Sequence, residues 1–183
     1  MNIPILRCLA GWVTHRGIVA NSVLFHRIAY WIISRCFREM CYDELFYYGE
    51  SVDLLVCSPG HCASHSLKKY IEFHNPKLKV KFSQHTGAAV VSALKKGILC
   101  VVISRDSLDL TRSICMSKHK NRRFHNIKFY EVLAKSGLTC PVVHFREVVN
   151  RPAFAVLLIN AHYRDLNLRL GDDKPFNICT YEE

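Results

Sequence analysis

Six consecutive apolar residues, Ile98-Leu99-Cys100-Val101-Val102-Ile103, stand between the stop signal Lys96-Gly97 and the polar run Ser104-Arg105-Asp106. A run this short, unbroken and rich in branched side chains predicts a strand buried on both faces, because a helix would need a longer segment. Residues 52–57, 78–82 and 141–145 read as three further strands, the first closed by the turn Ser58-Pro59-Gly60. Between and after them, residues 64–74, 88–95, 108–116, 127–135 and 152–166 carry helical patterns. The first of these opens on small hydroxyl residues and stops at Asn75-Pro76, which predicts a capped helix. Strands alternating with helices predict an α/β fold, three-layered, with a central parallel sheet.

Residues 1–50 have a different character. Val23, Leu24, Ile28, Trp31, Ile32 and Cys36 follow helical spacing, so this part is expected as an N-terminal helical segment and residues 51–183 as the α/β domain. Residues 17–37 come nearest to a membrane span, but His26, Arg27 and Arg35 interrupt them. A charge at the centre of a membrane helix costs roughly 2.5–3.5 kcal/mol. Two readings stand: an amphipathic helix packed on the domain, or peripheral contact with a membrane surface. Arg7, His15 and Arg16 break up the apolar N-terminus, which does not read as a secretory leader.

The formal net charge is +10 and half of the 183 residues are hydrophobic. That apolar share excludes a disordered basic tail, and the length predicts one domain rather than a multi-domain enzyme. The charge predicts an anionic partner without naming it. The nine cysteines form no CxxC pair, and Cys57 and Cys100 lie inside apolar runs. They read as free thiols in a reducing compartment, which predicts a cytoplasmic location, with membrane association as an option.

In a parallel sheet, ligands bind outside the carboxyl ends of the strands. The loops after Cys57, Phe82, Ile103 and Phe145 therefore matter most. Ser58–Ser66 joins a strand to a helix N-terminus, where backbone N–H groups and the helix dipole suit an anion, and Ser64 and Ser66 add hydroxyls. An ordinary strand-to-helix turn reads the same way. The loop is not a Walker A sequence, since GxxxxGK[ST] is absent. Cys57, His61, Cys62 and His65 have the side-chain types of zinc ligands, but no second pair lies at zinc-finger spacing, so no metal is expected.

Arg105 follows the third strand, and Ser113 comes eight residues later on a helical stretch. Here the chain resembles the sulfotransferase superfamily, the P-loop-like enzymes that use 3′-phosphoadenosine 5′-phosphosulfate, whose pattern RxPxDxxxS binds the 3′-phosphate of the donor. Residues 59–66 look like the family's PKxxSTS loop. His85 falls where many members carry the histidine that deprotonates the acceptor. The stretch VVHFREVVNRP over 142–152 looks like VxxYEDLxxxP. The resemblance spans residues 52–168 and implies a P-loop NTPase-like fold.

It also implies roles. Gly60, His61, Cys62, Ala63, Ser64, His65 and Ser66 would hold the 5′-phosphosulfate, and Arg105 and Ser113 the 3′-phosphate. His85 would be the general base, with an ordinary imidazole pKa of about 6.5. The family's loop lysine is missing, and His61, or Gly60 without an insertion, takes its position. The acceptor implied is a hydroxyl, with glycans the leading class by analogy. Two other readings accompany this one. A catalytically inactive nucleotide-binding relative would explain the missing lysine. A basic nucleic-acid-binding or scaffold protein would use Lys118-His119-Lys120-Asn121-Arg122-Arg123, but aromatic interleaving is poor and no nucleic acid partner is favoured.

Overall fold

The computed structural model describes residues 22–24, 52–59, 62–82, 86–106, 108–110 and 123–171, with side chains in the last stretch from residue 129. Four parallel strands form one sheet: β1 (Leu54–Cys57), β2 (Val80–Phe82), β3 (Cys100–Ser104) and β4 (Val142–His144). Their order is β2-β1-β3-β4. Val56 stands beside Phe82 on one side and Val101 on the other, and Ser104 is in register with His144. The chain thus steps outward from β1 to β2, then returns past β1 to β3. This is the order of the first four strands in flavodoxin-like doubly wound sheets, with the reversal between β1 and β3.

That reversal puts helices on both faces, because each parallel crossover is right-handed. Alternate side chains of β1 and β3 serve opposite layers. Leu54, Val56, Val101 and Ile103 meet Leu67 and Ile71 of α1 (Ser64–His74), Val148 of α4 (Phe145–Asn150), and Ala155, Val156 and Ile159 of α5 (Pro152–His162). Leu55, Cys57, Cys100 and Val102 meet Val90 and Ala93 of α2 (Gly87–Leu94) and Phe129 of α3 (Arg123–Ser136). The α/β, three-layer, all-parallel expectation agrees with this architecture.

Several boundaries differ from the sequence-based expectation, each for a local reason. The hydroxyl residues do not cap α1. Ala63 precedes it in the left-handed region, φ 57°, without a side-chain cap bond, and Ser64 and Ser66 already belong to the first turn. The expected strand over 141–145 ends at His144, because the His144 ring accepts the Arg146 N–H and caps a six-residue helix that the sequence pattern hides. The expected helix over 152–166 ends at His162. Tyr163 leaves helical geometry, and its hydroxyl donates to the Cys100 carbonyl at 2.9 Å. α3 begins at Arg123, so the last residue of the basic run starts a helix. Of the expected helix over 108–116, only a helical turn at 108–110 is described.

The segment after α5 is fastened to the domain by side-chain amides. Asn160 both accepts from the Leu168 N–H and donates to the Leu168 carbonyl, each at 2.8 Å. Asn75 accepts from the Arg169 N–H at 2.8 Å, and the Gly171 N–H donates to the Tyr70 hydroxyl at 3.0 Å. No helix among the described residues is long and apolar enough to cross a membrane. The expected N-terminal helical segment and residues 17–37 lie outside them, apart from Ser22, Val23 and Leu24.

Candidate functional site

The carboxyl ends of β1 and β3 lie side by side, Cys57 in register with Val102, so the loops leaving them open on the same edge of the sheet. Of the loop after β1, Ser58 and Pro59 are buried, Cys62 is 1% exposed, and Ser64 is buried while Ser66 is partly so. Ala63 turns the chain into α1 with a positive φ, a conformation that costs a non-glycine residue about 1 kcal/mol or more. The first bond of α1 runs from the Leu67 N–H to the Ala63 carbonyl at 3.1 Å. The amides of the first turn therefore have no intrahelical acceptor, which is the general chemistry of an anion-facing helix end.

Arg105 sits directly past β3 on the same edge. Its guanidinium carbon lies 4.1 Å from the centre of the Phe145 ring, at the start of α4. The same guanidinium lies near the Cys62 thiol. Burial pushes that thiol up to about 12, and the arginine's charge only partly opposes the shift. Cys62 is therefore a protonated, core-packed group, and any contact it makes with an anion is through its backbone. Tyr130 of α3 completes the cluster. Its hydroxyl donates to the Ile103 carbonyl at 3.4 Å, and burial, together with the nearby Cys62, raises it well above the ordinary phenol value.

The loop after β3 is tied to the end of β4 by charge as well. Asp106 Oδ1 lies 3.5 Å from His144 Nε2, and Asp106 Oδ2 lies 3.5 Å from an Arg146 nitrogen. Asp109 is 3.7 Å from the same arginine nitrogen, and Glu147 lies 3.7 Å from His144 Nδ1. Because His144 Nδ1 accepts the Arg146 N–H, the neutral ring carries its proton on Nε2, toward Asp106.

His65 is exposed at the start of α1 and packs on Phe82 at the end of β2, ring centres 4.2 Å apart. Lys68 turns away from the loop to pair with Glu72 at 2.7 Å. Among the sequence-derived site residues, the structure thus gathers Cys62, Ala63, Ser64 and Arg105 toward the β1/β3 edge, with His65 displaced toward β2 and Ser66 one turn along α1. Gly60, His61, His85 and Ser113 lie outside the described residues, as does Lys118-His119-Lys120-Asn121-Arg122. Phe145, Tyr130, Asp106 and His144 were not among the expected site residues: Asp106 follows Arg105 in the chain, His144 and Phe145 come to it from the end of β4 beside β3, and Tyr130 comes from α3. No group of three or more His, Cys, Asp or Glu among the described residues is arranged to hold a metal.

No family model matches the chain, and neither a curated protein nor a solved structure matches it. A phosphate needs a planar cationic donor, backbone amides and hydroxyls. Arg105, the first turn of α1, Ser64 and Ser66 supply those types at the edge where a parallel sheet reverses.

Proposed function

We propose that the chain binds 3′-phosphoadenosine 5′-phosphosulfate across the β1/β3 edge and is a sulfotransferase acting on an acceptor hydroxyl, with glycans the leading class. One observation carries the reading: Arg105 leaves β3 at the switch point, beside the loop that enters α1. The P-loop-like character of the domain belongs to the same proposal.

In this reading Arg105 and Ser113 hold the 3′-phosphate, and the segment Gly60–Ser66 holds the phosphosulfate. His85 takes the acceptor proton as the acceptor oxygen bonds to sulfur. The bond from sulfur to the bridging oxygen breaks, and His61 donates a hydrogen bond to that leaving oxygen. Positioning and charge stabilisation carry the rate, as in phosphoryl transfer. The sequence Ser58–Ser66 holds no lysine, and this favours a second reading, a nucleotide-binding relative without transferase activity.

Thermal unfolding with and without millimolar adenosine 3′,5′-bisphosphate tests the site, because a ligand that binds only the folded state raises Tm. The expected result is a shift that Arg105→Ala abolishes. Absence of a shift in the wild type overturns the nucleotide reading. Sulfate transfer from labelled donor, lost in His85→Ala while nucleotide still binds, distinguishes the transferase from the inactive relative. Salt-sensitive oligonucleotide binding without a nucleotide shift would instead support the basic scaffold.

A further inference from the structure

We propose that Phe145 is a positioning residue for anion recognition, its ring seating the Arg105 guanidinium at the carboxyl edge of β3. This rests on the reading of that edge as a nucleotide-phosphate site.

An arginine side chain has four rotatable bonds, and an unsupported one must lose that freedom when it grips a phosphate. Here the loss is taken in advance. The guanidinium carbon lies 4.1 Å from the Phe145 ring centre, within cation–π range. The ring is itself held, because Phe145 packs against the core formed by α1, α4 and α5. The guanidinium donors lie in its plane, and an in-plane fork is what binds phosphate in a bidentate manner. Lysine in the same place would offer a point charge without a fork.

The neighbouring residue is held by the same element. Asp106 reaches His144 Nε2 and Arg146, each at 3.5 Å, with Asp109 also against Arg146. The dipeptide Arg105-Asp106 is thus gripped on both side chains by the consecutive residues His144, Phe145 and Arg146. Asp106 is the acidic group nearest in sequence to Arg105, and its carboxylate faces the His144 ring and the Arg146 guanidinium. The β4–α4 junction, remote in sequence from the loop after β3, in this way fixes where the arginine stands.

The test is calorimetric titration of the full chain with adenosine 3′,5′-bisphosphate, alongside thermal unfolding of each variant. Phe145→Tyr keeps a ring and is expected to bind like the wild type. Phe145→Leu keeps apolar bulk but removes the ring, and is expected to weaken binding about tenfold, the scale of a cation–π contact. Arg105→Ala loses binding, and adding Phe145→Leu to it changes nothing further, because the ring acts through the arginine. Wild-type affinity in Phe145→Leu overturns the proposal while leaving the nucleotide site intact. Equal losses in Phe145→Tyr and Phe145→Leu also overturn it, since the ring would then have only a packing role. A wild type that does not bind overturns both readings. Should Phe145→Leu fail to fold, Phe145→Met takes its place: a loss of about tenfold supports the seated guanidinium, and unchanged affinity overturns it.

Discussion

Asp106, in the loop after β3, lies 3.5 Å from Nε2 of His144, the last residue of β4. Ser104 and His144 are in register across the sheet, so this pair adds a side-chain contact where the two strands end. The Asp106 side chain is 54% exposed, which screens the interaction with solvent. Asp106→Asn is therefore expected to change unfolding stability by less than about 1 kcal/mol, with a smaller effect at high salt. Urea unfolding at low and high ionic strength measures it. A loss of several kcal/mol would mean that the loop is fixed by something other than these contacts.

Two glycines should respond to alanine for different reasons. A Cβ on Gly87 would collide with the Phe129 backbone carbonyl, because α2 and α3 approach closely at that point. Backbone cannot swing aside as a side-chain tip does, so Gly87→Ala is expected to cost about 1–3 kcal/mol. Gly97 has open space around it but a φ of +76°, and Gly97→Ala should cost about 1 kcal/mol through backbone strain alone. Equilibrium unfolding of the two variants ranks them. A Gly87→Ala protein as stable as the wild type would refute the close helix approach.

Asn160 makes two hydrogen bonds to one residue, Leu168. Asn160→Ala removes both and leaves the Leu168 backbone to find water. Each bond is worth about 0.5–1.5 kcal/mol net, so a loss of about 1–3 kcal/mol is expected. Hydrogen exchange gives a sharper check: protection at Leu168 and Arg169 should drop more than protection in the sheet.

Alkaline pH should destabilise the domain. Burial raises Cys62 from an ordinary thiol value of 9.0 to about 12, and Cys140 to about 11. Tyr163 is likewise raised by burial, from 10.0 to about 12. Between the unfolded and folded values, the unfolded chain has released protons that the folded chain keeps. The stabilisation is therefore complete below about pH 9 and is lost as pH climbs toward 11–12. The urea midpoint should fall steadily from pH 8.5 to 10.5, less steeply in Cys62→Ala. A midpoint that stays level across that range would contradict the buried, protonated state of these groups.

Much of the architecture was legible because strand burial leaves a compositional mark. Residues 98–103 read as a two-faced strand, and the structure alternates Val101 and Ile103 toward one helical layer with Cys100 and Val102 toward the other. The short helix α4 was not legible, because its start depends on a single histidine ring accepting a backbone N–H. The α1 boundary was legible in position but not in mechanism, since Ser64 and Ser66 belong to its first turn.

The amino-acid sequence by itself determined the alternation of strands and helices and the presence of Arg105 past a buried strand. Both follow from local physics, the burial of apolar runs and the turn that closes each one. The strand order β2-β1-β3-β4 was decided only by tertiary structure, and so was the meeting of Arg105 with Phe145 and Asp106 with His144. These pairings join residues some forty positions apart through neighbouring strands, and no local pattern encodes which strand will lie beside which.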